Sequence, residues 1–406
     1  MPQVVKDRSL DSQIINVQHP QGRLAERIEA SVLSEMDVTK GLWDVALSCG
    51  KLGSSGAIQK DAVDDRHQGH SRETVALFRV HHSLCDGVSI AVAIGDLADE
   101  AAYLQDRMLE EIQMRKTKRG EHHQAYFFFL ISIISSFLFI ARFAIACIYA
   151  LILQIRKMLV SRNPFDAVLL NSQIPSNRRS IHWTNVGSLE EMKGVAKNNS
   201  DHTTINDVAC AMVTHAIKRQ LMEHRDNMGS CIAIPQEVNI TIPVHLHGGI
   251  LRPGEQLGNN IGGFVSTIPL TIPERQSSSS RLYQISRILQ REKALPSPII
   301  SWQLARVFTR GPVKFCTYML KKFSANSVAV ISNVRGFPIP VHWLGREVQS
   351  LCAFLPLPPG IPIGVVISSY AGVVSIGLNA DKRAIPSGGH FSNWMIEEYE
   401  HIKNSI

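Results

Sequence analysis

The chain has 406 residues and a formal net charge of +7, enough length for two domains with cores of their own. Its seven cysteines, at 49, 85, 147, 210, 231, 316 and 352, show no CxxC spacing, which excludes a zinc knuckle or a disulfide framework and fits a reducing, cytosol-facing compartment. The basic residues are not interleaved with aromatics and match no nucleic-acid motif; several of them flank an apolar segment instead, so nucleic acid is not an expected partner.

Met1 to Arg8 lacks a basic stretch followed by an apolar core, so no secretory signal is expected. Val75-Ala-Leu-Phe-Arg-Val80 is rich in strand formers, and Val88 to Lys116 predicts a helix of about eight turns. Between them stands His81-His-Ser-Leu-Cys-Asp-Gly87, an HHxxxDG stretch at the edge where strand turns to helix. An imidazole titrates near neutrality and can take a proton from an alcohol or thiol, the step that limits attack on a thioester. Asp86 fits two readings, an orienting carboxylate or the N-cap of the following helix, and Asp before Gly at a helix start favours the cap. Cys85 has no resolving cysteine or oxyanion signature beside it and is expected to be a small buried filler.

Residues 126–155 are apolar except for three serines, Arg142 and Gln154. As one helix they extend about 45 Å, against about 30 Å of bilayer hydrocarbon. Arg142 near the middle costs about 3 kcal/mol on insertion scales and opposes a simple crossing. Arg115, Lys116, Lys118 and Arg119 precede the run and Arg156, Lys157 and Arg162 follow it, so both ends are expected on the cytosolic side. The expectation is a re-entrant hairpin or in-plane anchor bent near Arg142; the alternative is a buried helix covered by protein.

After Pro164 a polar stretch through Arg179 suits a crossover linker. Ile205, Val208, Ala209, Met212, Val213, Ala216, Ile217 and Leu221 recur at helical spacing and predict one buried face. Thr204 and Asp207 form an S/T-x-x-D capping pair at its start. Gly258-Asn-Asn-Ile-Gly262 reads as a polar turn before a strand, Ile363–Ser369 and Val373–Leu378 as a hairpin, and residues from about 387 as a closing helix. His202, His215, His245, His247 and His342 share no metal-ligand spacing, so no metal is expected.

One ordered series of short motifs runs along the chain: Gly41-Leu-Trp-Asp-Val45, His81 to Gly87, Asn177-Arg-Arg-Ser-Ile-His-Trp183, Thr204-Ile-Asn-Asp-Val208, Pro243-Val244, Gly258 to Gly262, Ser332-Asn-Val-Arg-Gly336 and Tyr370-Ala-Gly372. In this order they resemble the wax ester synthase/diacylglycerol acyltransferase family of the CoA-dependent, chloramphenicol acetyltransferase-like acyltransferases. The DFGWG signature of plant-type acyltransferases on phenolic alcohols is absent.

The resemblance implies an α/β fold with mixed sheets, two acyltransferase-like domains with a substrate tunnel between them, and the membrane-associated hydrophobic helix or hairpin. The expected division is residues 1–114 as an N-terminal domain carrying HHxxxDG, 115–162 as the basic-flanked membrane segment and 163–406 as the C-terminal domain. It implies transfer of a long-chain acyl group from acyl-CoA, a co-substrate with no bound cofactor, to a fatty alcohol or diacylglycerol. The alternative is a catalytically weak, membrane-bound lipid-binding or scaffold protein of the same fold.

His82 is the expected base beside His81, with Asp86 and Gly87 shaping the loop. Asn206 of the ND motif is the expected oxyanion donor, an effect of about 3 kcal/mol elsewhere, and Asp207 its structural neighbour. Asn259 and Asn260 are candidates to line the channel, though an ordinary turn is the simpler role. Asn333 and Gly336 are candidates to position a strand crossover or touch substrate, a turn again being simpler. The expected location is the endoplasmic reticulum membrane with the catalytic domains facing the cytosol.

Three departures from the family pattern stand out. The chain carries only about 40 residues before Gly41, so a strand and helix of the first domain are expected to be missing. Arg335 replaces a usual proline. His247 stands where an arginine is common, which leaves Asp86 without its customary partner.

Overall fold

The computed structural model describes residues 14–16, 24–34, 36, 42–50, 73–120, 129–160, 163–228, 234–248, 257–270, 277–324 and 326–406. Strand β1 (Ile14–Asn16), helix α1 (Leu24–Leu33), and strands β2 (Trp43–Gly50) and β3 (Glu73–Val80) make a small layer. β2 pairs parallel to β1 and antiparallel to β3, in the order β1-β2-β3. Arg79 Nε donates to both Asp44 carboxylate oxygens across the strands, at 3.1 and 2.9 Å, and its Nη1 donates to Ser34 O at 2.9 Å. That places a guanidinium on the carbonyl end of α1, where a cation offsets the helix dipole.

α1 is anchored on its other side to the second half of the chain. The Glu29 carboxylate accepts from Arg178 Nε at 2.9 Å and from Arg179 N at 2.7 Å, while Ile28 packs with Ile181. Burial works against the charged form of Glu29, yet these donors and the Arg178 charge hold it below its ordinary value of 4.5. A depressed carboxyl contributes stability that is complete above the unfolded-state pKa and is lost as pH falls through the folded one. The stability advantage of wild type over Glu29→Gln, measured by chemical denaturation, is therefore expected at neutral pH and should shrink as pH drops below 4.5.

The remaining strands are β4 (Arg179–Ser188), β5 (Glu237–His245), β6 (Ile261–Pro269), β7 (Ser327–Arg335), the short pair β8 (His342–Trp343) and β9 (Arg346–Glu347), β10 (Ile363–Tyr370) and β11 (Val373–Asp381). Six of them form one sheet in the order β4-β11-β10-β7-β5-β6. β7 runs parallel to both β5 and β10, and the other pairs are antiparallel, so the sheet is mixed as expected. The β10–β11 hairpin turns on Ala371 and Gly372, both at positive φ (47° and 80°), the geometry of a two-residue primed turn.

Helices α5 (Asp166–Asn171), α6 (Leu189–Asn199), α7 (Ile205–Met228), α8 (Ser278–Lys293), α9 (Ser297–Phe308), α10 (Val313–Ser324) and α11 (Gly388–Asn404) complete this half. α7 is the centre of its core. Every apolar position expected on its buried face from Val208 to Leu221 is inaccessible, and so are Cys210, Ala211 and Thr214 on the opposite side. Burial all round, rather than on one face, follows from its being flanked by α6, α8, α11 and the sheet.

Two expectations are corrected. The long helix from Val88 to Lys116 is broken into α2 (Gly87–Gly95) and α3 (Ala101–Gly120). Distant residues make the break. Asp99 accepts from Leu344 N and Gly345 N, Glu100 accepts from His342 N, and a Cβ on Gly95 would come within 2.8 Å of Phe337.

The second correction concerns the apolar segment, whose residues 126–128 lie outside the described residues. From Phe129 to Val160 it is one unbroken helix, α4, and the hairpin bend at Arg142 does not form. Arg142 is exposed, so no buried guanidinium forces the helix to open. Among the described residues no helix is long and apolar enough to cross a membrane. The last turns of α4 dock instead on the edge strand β6. Gln154 Oε1 accepts from Val265 N at 2.8 Å, and Lys157 Nζ donates to Val265 O at 2.8 Å and pairs with the buried Glu292. These side chains satisfy backbone groups that an open sheet edge would otherwise offer to another chain.

β6 is also covered by α9, so closely that a Cβ on Gly262 would lie 1.9 Å from Pro298 O. Gly336 is equally confined, a Cβ there falling 2.1 Å from Ser369 O on β10. Backbone cannot yield as a flexible side chain does, so Gly336→Ala is expected to cost at least the roughly 1–3 kcal/mol of ordinary overpacking. A fall in thermal midpoint checks it.

Candidate active site

The HHxxxDG turn sits where β3 ends. His81 N donates to Leu42 O at 2.8 Å, and residues His81 to Leu84 are exposed. The two histidines differ in what holds them. His81 Nδ1 accepts from Ser83 N at 3.3 Å and lies 2.6 Å from Ser83 Oγ, so this nitrogen is tied up within the turn. Among the described residues no hydrogen bond occupies the His82 ring; its backbone carbonyl accepts from Asn259 Nδ2 at 2.7 Å. An anchored backbone under a free imidazole leaves that ring able to take a proton from a molecule outside the fold.

Asp86 is wholly buried and both of its oxygens are engaged. Oδ1 accepts from Ser89 N at 2.9 Å, capping α2 as the residue types favoured. Oδ2 accepts from Asn260 N at 2.9 Å and lies 3.6 Å from His245 Nε2. Asp86 N and Ser89 Oγ both donate to Gly258 O, at 3.1 and 3.0 Å. Gly87 packs against β7, where a Cβ would meet Val334 at 3.2 Å. The turn is thus fastened to residues 258–260, β5 and β7 of the large sheet.

Among the described residues Asp86 makes no hydrogen bond or ion pair with His82, and its contacts are those of a clamp. Its partner on β5 is His245, which the sequence pattern passed over in favour of His247. The two histidine rings lie edge to face at 5.7 Å. Cys85 is buried, and burial together with the adjacent Asp86 charge pushes its thiol pKa up, away from nucleophile chemistry as expected.

Asn259 and Asn260, candidates for a channel lining or an ordinary turn, grip the motif. Among the described residues Asn206 and Asp207 share no hydrogen bond or ion pair with it. Asp207, inaccessible in the first turn of α7, accepts from Thr204 N at 2.9 Å, from Ser286 Oγ at 3.2 Å and from Lys293 Nζ at 2.9 Å. The first bond is the reach-back half of a capping box. Asn206 Oδ1 is buried without a hydrogen-bond partner. Asn333 is exposed near the end of β7, and Arg335 there is bound by both Glu111 carboxylate oxygens of α3, at 2.7 Å. That ion pair gives the unusual arginine its role of tying α3 to the sheet.

A small and a large sheet joined at a histidine turn make a mixed α/β fold shared with a solved acyltransferase and a solved nonribosomal peptide synthetase. The chain superposes on the wax ester synthase/diacylglycerol acyltransferase from Marinobacter aquaeolei VT8 with a TM-score of 0.54 at 18% identity, covering 98% of this chain and 81% of that one. It superposes on the nonribosomal peptide synthetase FmoA3 with a TM-score of 0.50 at 11% identity, covering 96% of this chain and 36% of that one. At these identities the likeness is one of fold.

Residues 257–403 match the WS/DGAT C-terminal domain family. The chain is also 23% identical to wax ester synthase/diacylglycerol acyltransferase 2 of Arabidopsis thaliana over 405 residues, 94% of this chain and 76% of that protein. With the O-acyltransferase WSD of Acinetobacter baylyi it shares 24% identity over 258 residues, 61% of this chain and 52% of that protein. By these matches the chain is similar to wax ester synthase/diacylglycerol acyltransferases, the family its motif order resembles.

Proposed function

We propose that the chain is an O-acyltransferase that moves a long-chain acyl group from acyl-CoA to a fatty alcohol, giving a wax ester, or to diacylglycerol, giving triacylglycerol. The observation that carries this reading is the contrast within one turn: an exposed His82 whose ring has no hydrogen bond among the described residues, on a backbone carbonyl held by Asn259, beside the buried Asp86 that fastens the turn to the large sheet.

The chemistry needs one base and no covalent acyl-enzyme. His82 takes the hydroxyl proton as the oxygen attacks the thioester carbonyl, so a C–O bond forms. When the tetrahedral intermediate collapses the C–S bond breaks, and the CoA thiolate recovers the proton from the imidazolium. The reaction balances with acyl-CoA and the alcohol alone. Asn206 is the oxyanion donor carried by the family resemblance, and a fall in kcat for Asn206→Ala is its test. The substrate tunnel between the two halves belongs to the same reading, as does a place at the cytosolic face of the endoplasmic reticulum membrane, supported by the apolar run of residues 126–155.

Expression of the chain in a yeast strain that lacks neutral-lipid synthesis is expected to yield wax ester or triacylglycerol, detected by thin-layer chromatography. Absence of both products from a strain that accumulates folded protein and is supplied with fatty alcohol would favour the lipid-binding alternative.

A further inference from the structure

α4 packs against both α9 and α10, and all three helices leave apolar side chains exposed. On α4, Ile145, Ile148, Tyr149 and Ile152 recur at helical spacing and are exposed, Ile145 by 66% and Ile152 by 60%. The exposed Arg142 and Arg156 stand at the two ends of this stripe, about 21 Å apart along the helix. On α10, Val313, Phe315, Tyr318 and Leu320 are exposed, Val313 by 80%. Soluble proteins seldom leave several such residues uncovered side by side.

The charged side chains of these three helices are all basic. None of the chain's 35 Asp and Glu residues lies within 129–160 or 297–324. Arg306, Arg310, Lys314, Lys321 and Lys322 all fall on or between α9 and α10, and all are exposed. A symmetric dimer through this face would set these cations against their own copies with no carboxylate in any of the three helices to pair them. Apolar residues rimmed by arginine and lysine fit a helix lying in the headgroup layer, its apolar side sunk about 5–10 Å.

We infer that the exposed faces of α4, α9 and α10 form one docking surface for a bilayer carrying anionic headgroups, with α10 lying in the plane of the interface. This deepens the membrane association proposed above by naming the contact residues and the lipid charge. It is independent of the acyl-transfer reading.

Flotation of the purified full chain with vesicles tests it, using phosphatidylcholine alone or mixed with phosphatidylserine, at low and high salt. Wild type is expected to float with the anionic vesicles only and to be released by salt. A Lys314→Glu, Lys321→Glu, Lys322→Glu variant should bind at least about 100-fold more weakly, since each basic residue near the surface contributes about a factor of five. Val313→Ser with Tyr318→Ser should weaken binding at both salt levels. All five side chains are exposed, so both variants should keep the wild-type thermal midpoint and the wild-type turnover of detergent-dispersed substrate.

Equal binding by wild type and both variants would overturn the assignment of this surface while leaving membrane association standing. No binding of wild type to either vesicle would overturn both. Self-association of wild type, seen by light scattering and lost in the variants, would give the face to a second copy of the chain and overturn the lipid assignment.

Discussion

His82→Ala is expected to lower acyl transfer by about 100- to 10,000-fold, the usual contribution of a positioned general base. Stability should hardly change, because the ring is exposed and the bond that fastens this position, from Asn259 Nδ2 to the His82 carbonyl, uses backbone that alanine retains. Exposed substitutions of this kind stay within about 0.5 kcal/mol. The measurement is single-turnover transfer from radiolabelled acyl-CoA, alongside thermal denaturation. Loss of activity at an unchanged midpoint is the signature of a chemical role. Near-wild-type transfer would remove His82 from the mechanism and leave His81, whose Nδ1 is tied to Ser83, as the remaining imidazole of the motif.

Asp86→Ala should behave in the opposite way. It strands Ser89 N and Asn260 N and removes the carboxylate facing His245, around a carboxyl group that is itself wholly buried. Each stranded donor costs about 1–3 kcal/mol, and breaking a buried charged contact costs about 3–5 kcal/mol in all. A large fall in thermal midpoint is expected, with activity falling alongside it. Asp86→Asn separates a clamp from a proton relay. The amide keeps one acceptor oxygen for the cap on α2 but turns a donor toward Asn260 N or Ser89 N, so stability and activity should decline together. The pH profile of the residual transfer should keep its shape. A relay predicts instead lost activity at an unchanged midpoint and a shifted profile.

Comparison of these two residues shows what kind of information each rests on. His82 is legible in the sequence because the signal is local: a strand-forming run, a histidine pair, then Asp-Gly before a helical run, all within thirteen residues from Val75 to Gly87. The cap by Asp86 is legible for the same reason, since Ser89 N is three residues away. The other half of its role depends on Asn260 and His245, more than 150 residues distant, and no periodicity reports such a partner. His245 could have been found by asking which side chain at the end of the strand that carries Pro243-Val244 faces inward, but that requires knowing which face of β5 is covered.

The same division runs through the fold. The β10–β11 hairpin and α11 lie within a few residues of where turn residues and apolar spacing place them. The break between α2 and α3 does not, because it is made by Phe337, His342, Leu344 and Gly345 arriving from the far end of the chain. In α4, composition alone marked an apolar run and could not say whether Gln154 and Lys157 were isolated polar residues in lipid or ligands of a sheet edge. The tertiary structure places them on Val265 and Glu292.

By itself, then, the sequence determined the acyltransferase motif order, the histidine pair, the mixed α/β alternation and the apolar run, all written in local spacing and residue type. Only the tertiary structure decided that Asp86 binds the two halves together, that α4 is one unbroken helix docked on β6, and which apolar side chains of α4, α9 and α10 stay uncovered. Those outcomes depend on burial and on contacts between residues far apart in the chain, and burial is a property of the packed whole.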